Sequence, residues 1–111
     1  MRAQLQKFYI EATTLFNRDV VTNDDVTRLN ADVDVLANSI SQWVTKNMGD
    51  AAAAKLFDPG TGFGVSWGRA HDTKHSNILN YLAMLRRNLS TLIETAAWDG
   101  TSKTDEGTPF K

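Results

Sequence analysis

Two histidines one helical turn apart are the residues of this sequence most suggestive of chemistry. His71 and His75 flank an acid at Asp72, and Glu94 follows downstream as a further possible ligand. Neutral imidazoles at this spacing bind a metal ion from one face of a helix, and a neighbouring acid can activate a metal-held water. The pattern therefore offers a metal-dependent hydrolase as an alternative function.

The same residues have a structural interpretation, which we favour. Asp72 or Thr73 is a good helix cap, and a helix that starts there leaves His71 outside it. His75 continues the apolar stripe of Ile78 one step backward, which predicts a partly buried histidine at the end of the core. We therefore expect no bound metal ion and no cofactor.

Closely spaced glycines at positions 60, 62 and 64 are the second feature that could carry chemistry. Glycine-rich turns allow backbone N–H groups to close around a phosphate. Such turns follow a strand and open a helix with a Lys-Ser or Lys-Thr pair, and neither context is found here. The glycines predict a loop, and phosphate binding is a weak alternative.

Aromatic residues supply the best candidates for binding another protein. Tryptophan buries a large area at low entropic cost and is enriched where interfaces are strongest. Trp67 and Trp98 fall in a loop and near a helix end, whereas Trp43 lies on an apolar stripe and is expected in the core. The predicted interaction residues are Phe63, Trp67, Arg69 and Trp98.

Basic residues are too few and too scattered to indicate nucleic-acid binding strongly. Arg86 and Arg87 on the last predicted helix, with Arg69 and Lys74 before them, are the nearest approach to a basic patch. The formal net charge is −1, so there is no overall attraction to a polyanion. We expect these side chains to face solvent, with nucleic acid an unlikely partner.

The elements that position these residues are three segments with apolar residues at helical three-and-four spacing. The first is predicted over about residues 3–18, and the second follows capping side chains at residues 22–25 and ends at Gly49. The last and clearest is predicted over about residues 73–98. Its apolar positions are Ile78, Leu82, Leu85, Leu89, Leu92 and Ala96.

Between the second and last helices, Asp50 is placed to cap a short alanine-rich helix that reaches Phe57 and is closed by Pro59. Residues 58–72 are predicted to form a long glycine-rich loop, which in a compact domain is usually functional or mobile. Residues 99–111 are polar and are predicted to form a flexible tail.

Length and composition fit one folded domain. The chain has 111 residues, of which 41% are hydrophobic and 23% are charged. It has no cysteine, which excludes disulfides, thiolate metal sites and cysteine nucleophiles. No apolar run approaches the roughly 20 residues that span a bilayer, and we expect a cytoplasmic protein.

Burying the three apolar stripes together predicts an all-α fold, a small antiparallel bundle of three main helices plus one short helix over residues 1–98. The first helix is too short to cover both long ones. Part of the groove between the long helices must therefore be closed by the short helix, by loop aromatics or by another chain.

The predicted function is a noncatalytic module that binds another protein or a second copy of itself. Its surface is residues 58–72 with the adjoining ends of the second and last helices. An adaptor, an inhibitor or regulator of a complex, and an accessory or oligomerisation domain all fit this description. The alternatives are the hydrolase built on His71 and His75, and a weak nucleic-acid or phosphate binder.

Overall fold

The computed structural model describes residues 2–58, 68 and 70–101, with side chains described as far as Thr95. This part of the chain is all-α, as the apolar spacing predicts. Its helices are α1 (Arg2–Phe16), α2 (Asn23–Met48), α3 (Asp50–Leu56) and α4 (Thr73–Thr101). The glycines at positions 60, 62 and 64 lie outside the described residues, as do residues 102–111.

Helix boundaries fall close to the predicted ones, with differences at two C-termini. Helix α1 ends at Phe16, before the expected end at Arg18. Helix α4 begins at Thr73 as expected and continues to Thr101, past the expected end at Trp98. The first residues assigned to a polar tail therefore belong to this last helix.

Gly49 separates α2 from α3. Its φ of +94° lies in the region that favours glycine, and its N–H donates to the carbonyls of Val44 and Thr45. The expected stop at Gly49 is thus confirmed. Asp50 is the first residue of α3, where Gly49 takes the N-cap position that the sequence assigned to Asp50.

Helices α1 and α2 run antiparallel. The Phe8 ring meets the Trp43 ring edge-on, with centroids 5.9 Å apart. In the turn after α1, Arg18 Nη1 lies 2.6 Å from Oδ2 of Asp32, which is near the start of α2. Because higher numbers on one segment meet lower numbers on the other, the short turn reverses the chain direction.

Helix α4 starts beside the start of α2 and packs most extensively against α1. The short helix α3 contacts both α2 and α4, and its Leu56 is fully buried. The groove between the two long helices is thus partly closed by the short helix, one of the solutions that the mismatch in helix lengths requires.

The core is formed by the predicted stripes. Trp43 is half-buried and packs at the edge of this core, while Val44 beside it is fully buried. The buried residues of the main cluster are Leu5, Phe8, Ala12, Leu15, Val26, Leu29, Val33, Leu36, Ile40, Val44, Leu56, Ile78, Leu82, Leu85, Leu89 and Leu92.

Truncation of a core side chain on α4 should destabilise the bundle strongly. We expect Leu82→Ala to lower the free energy of unfolding by about 2–5 kcal/mol, because Leu82 is fully buried and its removal leaves a cavity. Val35→Ala is the matched control, since Val35 is 66% exposed and should change the value by less than about 0.5 kcal/mol. Urea unfolding measures both, and equal effects would contradict this core.

Candidate functional site

The start of α2 is closed by a reciprocal capping box. The Asp25 N–H donates to Thr22 Oγ1 over 3.2 Å, and Asp25 Oδ2 accepts from the N–H groups of Thr22 and Val21 at 3.1 and 3.0 Å. Such a box satisfies backbone donors that have no partner within the helix. The two backbone bonds from Val21 and Thr22 lower the pKa of the Asp25 carboxyl.

The start of α4 has a similar arrangement, with histidine in the place of the acid. Asp72 Oδ1 accepts from the His75 N–H at 2.8 Å, so that Asp72, one of the two residues the sequence offers as a cap, caps this helix. The side chain of His75 reaches back, and its Nδ1 accepts from the His71 N–H at 2.9 Å. His75 is 1% exposed, whereas His71 is exposed, so the bond joins a buried ring to the backbone of a surface residue.

The two helix starts are joined through His71. Its Nε2 lies 3.1 Å from Oδ1 of Asn23, the first residue of α2. We call Thr22, Asn23, Asp25, His71, Asp72 and His75 the cap cluster. It fixes the C-terminal end of the segment 58–72 against both long helices.

The other end of this segment is held by α4 through two neighbouring side chains. Asn88 Nδ2 donates to the carbonyls of Leu56 and Asp58 at 2.7 and 2.9 Å, and Asn88 is 8% exposed. Arg87 Nη2 donates to the same Asp58 carbonyl at 2.7 Å and to Asn88 Oδ1 at 2.8 Å. We call Arg87 and Asn88 the carbonyl anchor. It satisfies carbonyls at the end of α3 that have no partner within that helix.

One residue of the cap cluster, His75, lies on α4, and so do both residues of the carbonyl anchor. Asn88 follows Thr73 by 15 positions, which is about 22 Å along α4 at 1.5 Å per residue. Between them, α2 and α4 border a groove of about 350 Å³ lined by Val33, Ile78 and Tyr81 with polar neighbours. The segment 58–72 therefore begins and ends at two fixed points on α4.

Tyr81 lies between the two fixed points. Its ring stacks on Phe57, with centroids 6.5 Å apart and planes 23° from parallel. Burial raises the pKa of Tyr81, and the negative charge of Asp34 raises it further. The phenol is therefore neutral over the physiological pH range, and it contributes an aromatic face with one polar group.

The predicted interaction residues are mostly beyond what the structure describes. Phe63, Trp67 and Arg69 fall within the undescribed part of the segment. Trp98 belongs to α4, but its side chain is outside the described part. These assignments stay predictions.

The possible metal ligands do not come together. Glu94 follows His75 by 19 positions on α4, which separates them by about 28 Å along the helix. His71 lies outside the helix, as expected, and His75 Nδ1 is bonded to the His71 backbone. Among the described residues, no three histidine or carboxylate side chains are grouped to hold a metal ion.

Arg87 is exposed, as expected from the sequence, whereas Arg86 is half-buried against α1. The Arg86 guanidinium lies 5.4 Å from the Tyr9 ring centroid and 5.1 Å from that of Phe16, a distance at which a cation is attracted to an aromatic ring. Arg87 belongs to the carbonyl anchor. The first stabilises the α1–α4 contact and the second stabilises the end of α3.

Sequence reasoning missed the hydrogen bonds of Asn88 and Arg87, whose partners lie about 30 positions away. It also missed the side-chain role of His75. The spacing of a capping box could have revealed the role of His75. His75 follows Asp72 by three residues, just as Asp25 follows Thr22 by three.

Comparison of the chain with protein-family models, with curated proteins and with solved structures found no significant match. Within the described part of the chain, no helix combines the length and apolarity needed to cross a membrane.

Loss of the Asn88 amide should destabilise the junction after α3. We expect Asn88→Ala to lower the free energy of unfolding by about 1–3 kcal/mol, because it removes the buried amide that binds the carbonyls of Leu56 and Asp58. Ser90→Ala on the exposed face of α4 is the control and should be nearly neutral. Urea unfolding with amide exchange at residues 56–58 measures the effect, and an Asn88→Ala protein as stable as the control would contradict the anchor.

The capping box of α2 should give a pH-dependent contribution to stability. Because the folded-state pKa of Asp25 is lowered, its charge stabilises the fold above the unfolded-state pKa, and that contribution is lost as pH falls. Asp25→Asn should therefore be less stable than wild type at pH 6, with the difference shrinking below about pH 4. Urea unfolding across this range provides the measurement. A difference that stays constant would show that the Asp25 charge does not act through these bonds.

Proposed function

We propose that this chain is a noncatalytic helical module that binds another protein through residues 58–72 and the adjoining ends of α2 and α4. The observation that carries the proposal is the fixing of both ends of this segment by side-chain hydrogen bonds from α4 and its cap. Binding residues are commonly placed on connections that a rigid scaffold positions.

The carbonyl anchor supports this proposal because its hydrogen bonds are made to the junction between α3 and the segment 58–72 and not to residues in the centre of the core. Asn88 is a buried polar residue on the main helix, and both carbonyls that it binds belong to the end of α3 and the start of the segment. A buried amide is tolerated when its hydrogen bonds are made. Its bonds fix where the segment leaves the bundle.

The cap cluster supports it at the other end. The His71 N–H is bonded to His75, while the His71 ring is bonded to Asn23 of α2. Rotation of α4 relative to α2 at this end would break the ring contact. The segment thus ends at a point shared by two helices, which limits the ordering cost on binding.

The composition of the segment supplies the side chains for recognition. Phe63 and Trp67 are large aromatic residues, and Arg69 adds a planar cation. Residues of these types dominate the binding energy of interfaces. The groove lined by Val33, Ile78 and Tyr81 adds a partly apolar face along α4 beside the fixed points.

The partner in this proposal is another protein, for which the chain acts as an adaptor, a regulator or an accessory domain in the cytoplasm. A second copy of the chain is the alternative partner. Light scattering over a range of concentrations separates the two, since a strict monomer removes self-association.

Replacement of Trp67 should weaken partner binding. Proteins retained by the immobilised chain from an extract of its native host are purified and titrated calorimetrically against wild type and variants. We expect Trp67→Ala to weaken affinity at least about tenfold, because aromatic anchors carry a large part of interface energy. Ile10→Ala is the control, since Ile10 is 63% exposed on the outer side of α1. Unchanged affinity for Trp67→Ala, or an equal loss for Ile10→Ala, would contradict the proposed surface.

A further inference from the structure

We propose that His75 makes the start of α4 acid-sensitive, so that protonation of its imidazole breaks the hydrogen bond from the His71 N–H and opens the first turn of this helix. This response does not depend on the proposed binding function.

The hydrogen bond from the His71 N–H requires a lone pair on His75 Nδ1. An imidazole has that lone pair only in its neutral form, with its proton on Nε2. Protonation places a second N–H at Nδ1, which faces the N–H of His71 across 2.9 Å. The charged ring and the present geometry are therefore incompatible.

Burial and the helix add to this incompatibility. His75 is 1% exposed, and a buried charge loses its hydration. It also lies in the first turn of α4, where the helix dipole opposes positive charge. Opening of this turn lets the charged ring reach water. It removes the unfavourable contact with the His71 N–H, the loss of hydration and the opposing helix dipole.

The two capping arrangements respond to acid in different ranges. At α2 the side chain that accepts from the preceding backbone N–H groups is Asp25, in its charged form. A carboxylate takes up a proton only far below neutral pH. At α4 the corresponding side chain is histidine, which takes up a proton near pH 6.5 when exposed. Mild acid therefore acts on the start of α4 and leaves the start of α2 intact.

Several charged groups lie on the elements around His75. On its own element, the neighbouring Lys74 is exposed. Just before that element, the Asp72 carboxylate accepts through Oδ1 from the His75 N–H. On α2, Asp25 is bonded to the turn before that helix. The remaining charged residues of that turn and of the first turns of α2 are exposed or half-buried: Arg18, Asp19, Asp24 and Arg28.

The sign of the pH effect follows from proton counts. Below about pH 6.5 the unfolded or locally opened chain binds a proton at His75 that the closed form does not bind. Stability of the closed form therefore falls as pH falls. One proton per opening raises the opening equilibrium by up to about tenfold for each pH unit.

Nitrogen-15 NMR of the full chain tests the proposal, since the sequence contains two histidines and a His71→Gln variant assigns their signals. We expect the His75 ring to show the Nε2–H tautomer at pH 7.5. Amide exchange at residues 71, 75 and 76, whose N–H groups are bonded in the closed form, should then show opening that rises between pH 6.5 and 5 by up to about tenfold per unit after correction for intrinsic rates. The His71→Gln variant should keep this dependence.

His75→Gln is the matched variant, because a glutamine oxygen accepts the same kind of bond and does not titrate. It should abolish the pH dependence at residues 71, 75 and 76. Retention of the dependence in His75→Gln would overturn the proposal. So would protonation of the wild-type His75 ring without any change in opening at these three residues, a result that remains decisive if His75→Gln fails to fold.

Discussion

Burial of the apolar stripe of α4 is the constraint on which the rest of this structure depends. The stripe carries Ile78, Leu82, Leu85 and Leu89, and each is buried. Helix α1 covers it most extensively, with α3 and α2 completing the cover. Because α1 is only 15 residues long and α4 has 29, α1 alone cannot cover the whole stripe, and α2 and the short helix α3 also pack against α4.

This packing leaves backbone carbonyl and N–H groups at the helix ends without partners inside their own helices, and particular side chains bind them. Ending α3 against α4 brings the carbonyls of Leu56 and Asp58 to the larger helix, where Asn88 and Arg87 bind them. Starting α4 beside α2 leaves backbone donors at two helix ends, and these are bound by reciprocal side-chain contacts. The two sets of bonds define where the segment 58–72 leaves and rejoins the bundle, which links the packing of the core to the proposed binding surface.

The sequence predicts the fold well because the information for it is local. The three-and-four spacing of apolar residues, the capping residues near Asp25 and the stop at Gly49 each act within a few positions of the chain. The start of α4 after Asp72 is predicted for the same reason. The extension of α4 to Thr101 is not, since glycine and aspartate near its end argue locally for an earlier stop.

The candidate site is less predictable, because its contacts join distant positions. The partners of Asn88 lie 30 and 32 positions away, and the ring partner of Arg86 on α1 lies 77 positions away. The apolar periodicity of α4 places Arg86 on a charged face. It does not show that the guanidinium packs on the rings of Tyr9 and Phe16. His75 illustrates both cases: its position at the end of the core is local information, whereas its bond to His71 depends on how the chain enters the helix.

Native-state hydrogen exchange of the full chain tests most directly the claim that α4 is the common element of one cooperative bundle. The amides of Leu82, Leu85 and Leu89 should exchange only through global unfolding, with opening free energies equal to the free energy of unfolding measured in urea. Exchange of these three amides through a less costly opening, while amides in α1 or α2 remain protected to the global limit, would contradict the account.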